Sequence, residues 1–144
     1  MLKKALLPLI GAAAFAAAVM PAQAHDVPGG HGAPGQERLD VLQEQRLPDA
    51  AGRTGHMLTV TFAPGQTSVP HVHPGSVFAY VLEGEVESQM EGEQPVRYKA
   101  GQSWYEAPNH PHVLARNTSK SKPARLLVWL LTADGEAPVS PLKK

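Results

Sequence analysis

Turn-forming residues cut the middle of this chain into segments too short for a helix of more than a turn or two. Pro64-Gly65, Glu83-Gly84, Glu91-Gly92-Glu93, Ala100-Gly101 and a loop holding Pro108 and Pro111 stand between short stretches rich in apolar residues. Glycine tolerates left-handed backbone and proline fixes φ, so such sites reverse the chain rather than continue an element. The stretches between them carry the period of strands. Leu58, Val60 and Phe62 alternate with Met57, Thr59 and Thr61, which puts one set on a core face and the other on the opposite face. Val77 to Leu82, Glu85 to Met90, Val96 to Lys99, Ser103 to Glu106 and His112 to Arg116 follow at similar spacing. Leu126 to Leu131 is apolar throughout and reads as a strand buried on both faces. With the segment around His71 this makes about eight strands, and such spacing predicts an all-β sandwich or barrel.

The ends read differently. Lys3 and Lys4, an apolar stretch from Ala5 to Val19, and then Ala22-Gln23-Ala24 have the order of an export signal cleaved after Ala24. The apolar stretch is shorter than the roughly 20 residues that a bilayer core requires, so no stable membrane anchor is expected after cleavage. Residues 1–24 are therefore assigned to a signal peptide and residues 25–36, dominated by Gly and Pro, to a flexible leader. Residues 37–131 form a single barrel domain, and residues 132–144, with Pro138 and Pro141, a loose tail. The mature protein would be periplasmic or secreted. Cleavage would also make His25 the N-terminus, where its imidazole and the α-amino group can chelate copper, with His31 nearby.

Composition narrows the partners. The chain carries 13 basic and 13 acidic residues, and cleavage removes Lys3 and Lys4, leaving a small acidic excess. That balance gives no electrostatic case for nucleic acid or an anionic membrane. The absence of cysteine excludes disulfides, iron–sulfur clusters and thiolate metal sites, so any metal is bound through nitrogen and oxygen.

Histidine is where the chain concentrates its chemistry. His71 and His73 stand two apart between Pro70 and Pro74, and on a strand such residues project to one side with Cα atoms about 7 Å apart. Their imidazoles can then converge on one ion at about 2.1 Å, or merely cap a strand end. His110 and His112 come after the turn at Pro108-Asn109, so four of the seven histidines lie in two proline-framed segments. His56 falls in register with Leu58, Val60 and Phe62 and is expected to be a satisfied histidine at the core edge. Phe78, Tyr80, Trp104 and Tyr105 are read as core aromatics beside the site rather than a substrate clamp.

From Phe62 to Leu131 the chain resembles the cupin superfamily. Gly65, His71, His73 and Gly84 match the first motif, G-x5-H-x-H-x(3,4)-E-x6-G, and Tyr80 to Glu85 looks like the family's strand and turn. Gly101 and His112 match the second, G-x5-P-x-G-x2-H-x3-N, with Pro108 one place and Asn117 one residue late. The resemblance implies a cupin-type jelly-roll β-barrel and one divalent metal ion (Fe, Mn, Ni, Cu or Zn) on His71, His73 and His112. The motif's glutamate falls on Val77, which cannot ligate, and its second glycine on Asn109. Glu106 is a candidate replacement ligand or general base, or else a solvated carboxylate at a strand end. His110 is a candidate for His112's place as a ligand, for a proton shuttle, or for a histidine of the rim without a role. The function implied is a mononuclear metal-dependent enzyme, dioxygenase-like, acting on a small organic molecule; the alternative is a non-catalytic metal- or ligand-binding module. The family's habit of pairing makes a homodimer possible.

Overall fold

A computed structural model describes residues 37–142. The signal peptide, the leader and the His25 chelate lie outside the described residues. Ten strands follow one another: β1 (Arg38–Arg46), β2 (Arg53–Phe62), β3 (His71–Val72), β4 (Val77–Glu83), β5 (Glu85–Met90), β6 (Val96–Lys99), β7 (Ser103–Glu106), β8 (His112–Asn117), β9 (Ala124–Ala133) and β10 (Ser140–Pro141). They make two five-stranded antiparallel sheets, ordered β1-β2-β9-β4-β7 and β10-β3-β8-β5-β6. Among the described residues no helix is long and apolar enough to cross a membrane.

The first sheet supplies most of the core. β9 runs between β2 and β4 and pairs with β2 in unbroken register from Arg53↔Ala133 to Phe62↔Ala124. Its alternate residues Ala124, Leu126, Val128 and Leu130 are buried beside Leu58, Val60 and Phe62 of β2 and Val77, Ala79 and Val81 of β4. Each such large side chain withdrawn from water contributes on the order of 1.5–3 kcal/mol, so this sheet carries the stability. The second sheet gives the cluster only Val86 and Ala115, while Ser88 and His112 are buried polar residues of its strands.

Several expectations change at this level. Leu126 to Leu131 is not buried on both faces: Leu127, Trp129 and Leu131 form the outer, half-buried row of β9. Phe78, Tyr80 and Tyr105 also lie on exposed positions of the first sheet, so they are neither core nor clamp. Only Trp104 is buried, stacked on Tyr98 at 4.7 Å between ring centroids. Two strands were not anticipated. β1 is almost entirely exposed, an edge strand mixing charged residues with Leu39, Val41 and Leu42 without a clean alternation, and β10 is two residues long with a proline. The segment after Leu131 is not a loose tail, since β9 continues through the buried Thr132 and β10 pairs with β3.

Two glycines fix loop shapes at opposite ends of β4. Gly84 turns β4 into β5 at φ 78°, and a Cβ there would lie 2.9 Å from the Pro123 carbonyl oxygen. At Gly75 a Cβ would fall on the carbonyl of Leu131, so the loop just after His73 is pressed against the backbone of β9. Any side chain at Gly75 would push the His73 segment off the sheet.

Candidate metal centre

Strand register brings the histidines together. β3 and β8 pair with His71 directly opposite His112, and their ring centroids are 5.1 Å apart. His73 follows on the same side as His71, at 4.9 Å between centroids, as the two-residue period predicts. Each of the two outer rings is then oriented by a carbonyl. His71 Nδ1 lies 2.8 Å from Val69 O, and His73 Nδ1 lies 2.7 Å from Pro138 O in the C-terminal segment. A carbonyl oxygen only accepts, so both Nδ1 atoms donate N–H and both Nε2 atoms keep a lone pair. Ordinary metal-site histidines are oriented in this way by their supporting partners.

Glu106 completes the cluster. It ends β7, directly opposite Val77 of β4, and it is buried rather than solvated. The motif position is thus empty of a carboxylate, but its partner across the ladder carries one into the same interior. Glu106 Oε1 accepts a 2.9 Å hydrogen bond from Trp104 Nε1. Oε2 lies 3.6 Å from His73 Nε2 and 3.3 Å from His112 Nδ1, yet it has no hydrogen-bond partner, and neither does His112 Nδ1. A buried carboxylate oxygen facing an imidazole lone pair is repulsive unless a proton or a cation lies between them. One donor atom from each of His71, His73 and Glu106 lies within 4.8 Å of the others, close to the span of ligands around one ion with bonds of about 2.1 Å. These residues fit a divalent metal ion, and the orphaned oxygen is the observation that says so.

His112 stands just behind this trio. Its Nε2 is 2.8 Å from Ser88 Oγ, and the pair is buried. If the ring donates Nε2–H to Ser88, its Nδ1 lone pair joins the cluster as a further donor. If Ser88 donates instead, the proton sits on Nδ1 and faces Glu106, so the direction of this bond decides whether His112 can ligate. The sequence offered no signal for Ser88 or for the Pro138 carbonyl, which reach the site only through folding. Glu106 was more legible, because Trp104 and Glu106 share a strand face by parity.

The remaining candidates lie elsewhere. His110 does not stand with His112: its Nε2 is 3.0 Å from the Glu91 carbonyl, and it is absent from the donor cluster. His110 closes the Pro108-Asn109 turn and lies outside β8, so strand parity does not apply to it. Asn109 takes φ 59°, the left-handed conformation of the motif glycine that it replaces, which asparagine tolerates better than most residues. His56 is the satisfied core-edge histidine expected, bonded to Thr132 Oγ1 at 3.0 Å.

Electrostatics follow from burial. Burial lowers the pKa of His71; the charges of His112 and His73 act the same way, against the Val69 carbonyl and Glu106. For Glu106 burial alone would raise the pKa, but His112, His73 and the Trp104 N–H outweigh it and hold the carboxyl below its ordinary value. Both shifts leave the groups in the forms that bind metal, a neutral ring and an ionised carboxylate.

The cluster sits at one end of a cavity of about 340 Å³ inside the barrel. A double-sheeted antiparallel barrel with histidines from two paired strands inside it defines a class of small β-barrel. The Cupin domain family matches residues 58–130, just over half of the chain, and the chain belongs to the cupin superfamily with its jelly-roll barrel. No curated protein matches the chain. Among solved structures, it resembles a conserved protein with a double-stranded β-helix domain from Klebsiella pneumoniae, at 24% identity and TM-score 0.60, covering 80% of this chain and 91% of that one. The polyketide cyclase RemF from Streptomyces resistomycificus is similar at 22% identity and TM-score 0.61, with 87% of each chain covered. The DMSP lyase DddQ from Ruegeria pomeroyi is similar at 25% identity and TM-score 0.61, over 81% of this chain and 59% of that one.

Proposed function

We propose that this chain is an exported, metal-dependent enzyme of the cupin superfamily that acts on a small organic molecule. The observation that carries the reading is the orphaned Glu106 Oε2, held against His73 and His112 at the end of an apolar cavity. His71 and His73 through Nε2 and Glu106 through Oε2 would hold the ion, with His112 Nδ1 as a fourth donor. A divalent ion there supplies Lewis acidity and, if it is iron, manganese or copper, a redox centre. The chain's own residues do the rest. The barrel buries Glu106 and His112 while His71 and His73 stay partly exposed, and Glu106, kept ionised, offers Oε2 either as a ligand or, if it is left off the ion, as a base toward a substrate bound beside it. Related barrels include a lyase and a cyclase, which supports catalysis in this scaffold without naming the reaction. The export signal at residues 1–24 supports a periplasmic or secreted location.

Elemental analysis of protein purified from its native compartment tests the metal reading directly. Stoichiometric divalent metal, lost in His71→Ala, is the expected result; a chain free of metal after purification without chelators overturns it. Oxygen uptake by the iron-loaded protein with phenols then separates an oxygenase from a binding module, for which ligands bind and nothing turns over.

A further inference from the structure

Most of the cavity's polar side chains gather in one place. Phe62, Val77, Ala79, Trp104, Ala115 and Val128 are among the residues that make its wall, and His71, His73, His112 and Glu106 gather where β3, β7 and β8 meet. Apart from those four, the ionisable and hydroxyl side chains on its lining are Glu37 and Ser68. No lysine or arginine lines it among the described residues. The indole N–H of Trp104 is already committed to Glu106, so the wall offers a ligand's body little beyond apolar contact.

We infer that the cavity takes a molecule with an apolar body and a single ionisable oxygen at one end, a phenol or an enol. This rests on the metal reading above, for the oxygen needs the ion, but the wall argues for the rest by itself. A second anionic group, such as a carboxylate, would be carried out of water into a wall without a cation, with Glu37 and Glu106 of like charge on the lining. A volume of about 340 Å³ falls at the small end of ligand sites, room for one or two rings. Dicarboxylates and small polar acids have no partner there beyond the ion.

Titration calorimetry with 2-naphthol, 6-hydroxy-2-naphthoate and oxalate, on the full mature chain with and without zinc, tests the assignment. Zinc serves as an occupant without redox chemistry. The expected order is 2-naphthol tightest, the added carboxylate weakening binding by about tenfold or more, and oxalate failing to displace 2-naphthol. A carboxylate that binds as well as the plain phenol, in either form, overturns the inference. Failure to take up zinc would overturn the metal reading instead, while the ranking on the metal-free chain still decides the ligand class. Ala115→Leu fills the cavity from the second sheet and should abolish 2-naphthol binding with zinc content unchanged. Ala79→Leu does so from the first sheet if the other variant does not fold. Unaltered 2-naphthol binding in a folded variant places the ligand outside the cavity and overturns the inference.

Discussion

The barrel holds two polar clusters built around histidine, one at His56 and one at His73, and they are built in opposite ways. Around His56, Nε2 meets Thr132 Oγ1 at 3.0 Å, Nδ1 faces Glu44 at 3.5 Å, and neighbouring Thr54 donates to Asp134 at 2.7 Å. Around His73 the outer ring nitrogens are anchored, but Glu106 Oε2 and His112 Nδ1 are buried with nothing to bond. The supports differ too. His56 sits in the ten-residue ladder of β2 on β9, whereas His71 sits on a two-residue strand paired to another of two residues. A buried polar group left unbonded costs the fold free energy, of order 1–3 kcal/mol, so its persistence marks a place reserved for something else. The first cluster is complete as protein; the second leaves Glu106 Oε2 and His112 Nδ1 facing each other at 3.3 Å, where a proton or a cation would join them.

The contrast is broken most sharply by alanine. His71→Ala or His73→Ala should cost metal retention more than the roughly 10–100-fold that follows from losing a supporting partner, because each removes a donor atom. His56→Ala should leave metal content unchanged and instead lower the midpoint of thermal unfolding, the loss being of order 1–3 kcal/mol for the stranded hydroxyl and the cavity. Metal analysis beside thermal melts reads both, and a metal-poor His56→Ala protein would erase the distinction. Glu106→Gln belongs with the first group: metal loss makes Glu106 a ligand, and retained metal with lost turnover makes it a base.

Ser88→Ala probes the support rather than the donor. It frees the tautomer of His112 and should weaken metal binding by about 10–100-fold, with the far-UV dichroism of the barrel intact. Unchanged affinity would mean that His112 does not ligate through Nδ1. The smallest effect is on the metal-free protein in acid. His71 is depressed below 6.5 in the folded state, so as pH falls through that value the unfolded chain takes up a proton that the folded chain refuses. Glu106 is depressed below 4.5, so its stabilisation is present above that value and is lost as pH falls through its lowered folded pKa. Both contributions make stability fall with falling pH, first below about 6.5 and again below about 4.5. Urea unfolding of metal-free protein across that range should show the decline, reduced in the His71→Ala variant; a flat profile would remove the burial argument at the site.

What the chain declares by itself is whatever depends on near neighbours. Turn residues mark the reversals, alternation marks β2, and the His-x-His pair places His71 and His73 on one side, because side-chain direction on a strand is set by the strand's own pleat. Asn109 is legible in the same way, as a residue able to take the left-handed turn required of it. Local rules misled where a tertiary partner overrode them. Leu126 to Leu131 is apolar throughout, yet Leu127, Trp129 and Leu131 are only half-buried, because among the described residues the core lies on the other face of the first sheet. His110 and His112 are two apart, yet His110 belongs to the Pro108-Asn109 turn and its ring goes to Glu91. The carboxylate that stands in for the one missing at Val77 is Glu106, 29 positions along the chain and directly opposite in the ladder. Only register, fixed by burying the inner faces of β4 and β7 together, puts the two in one place. The carbonyl of Pro138 reaches His73 across 65 positions for the same reason: β10 closes on β3, and no local pattern encodes a pairing between strands so far apart.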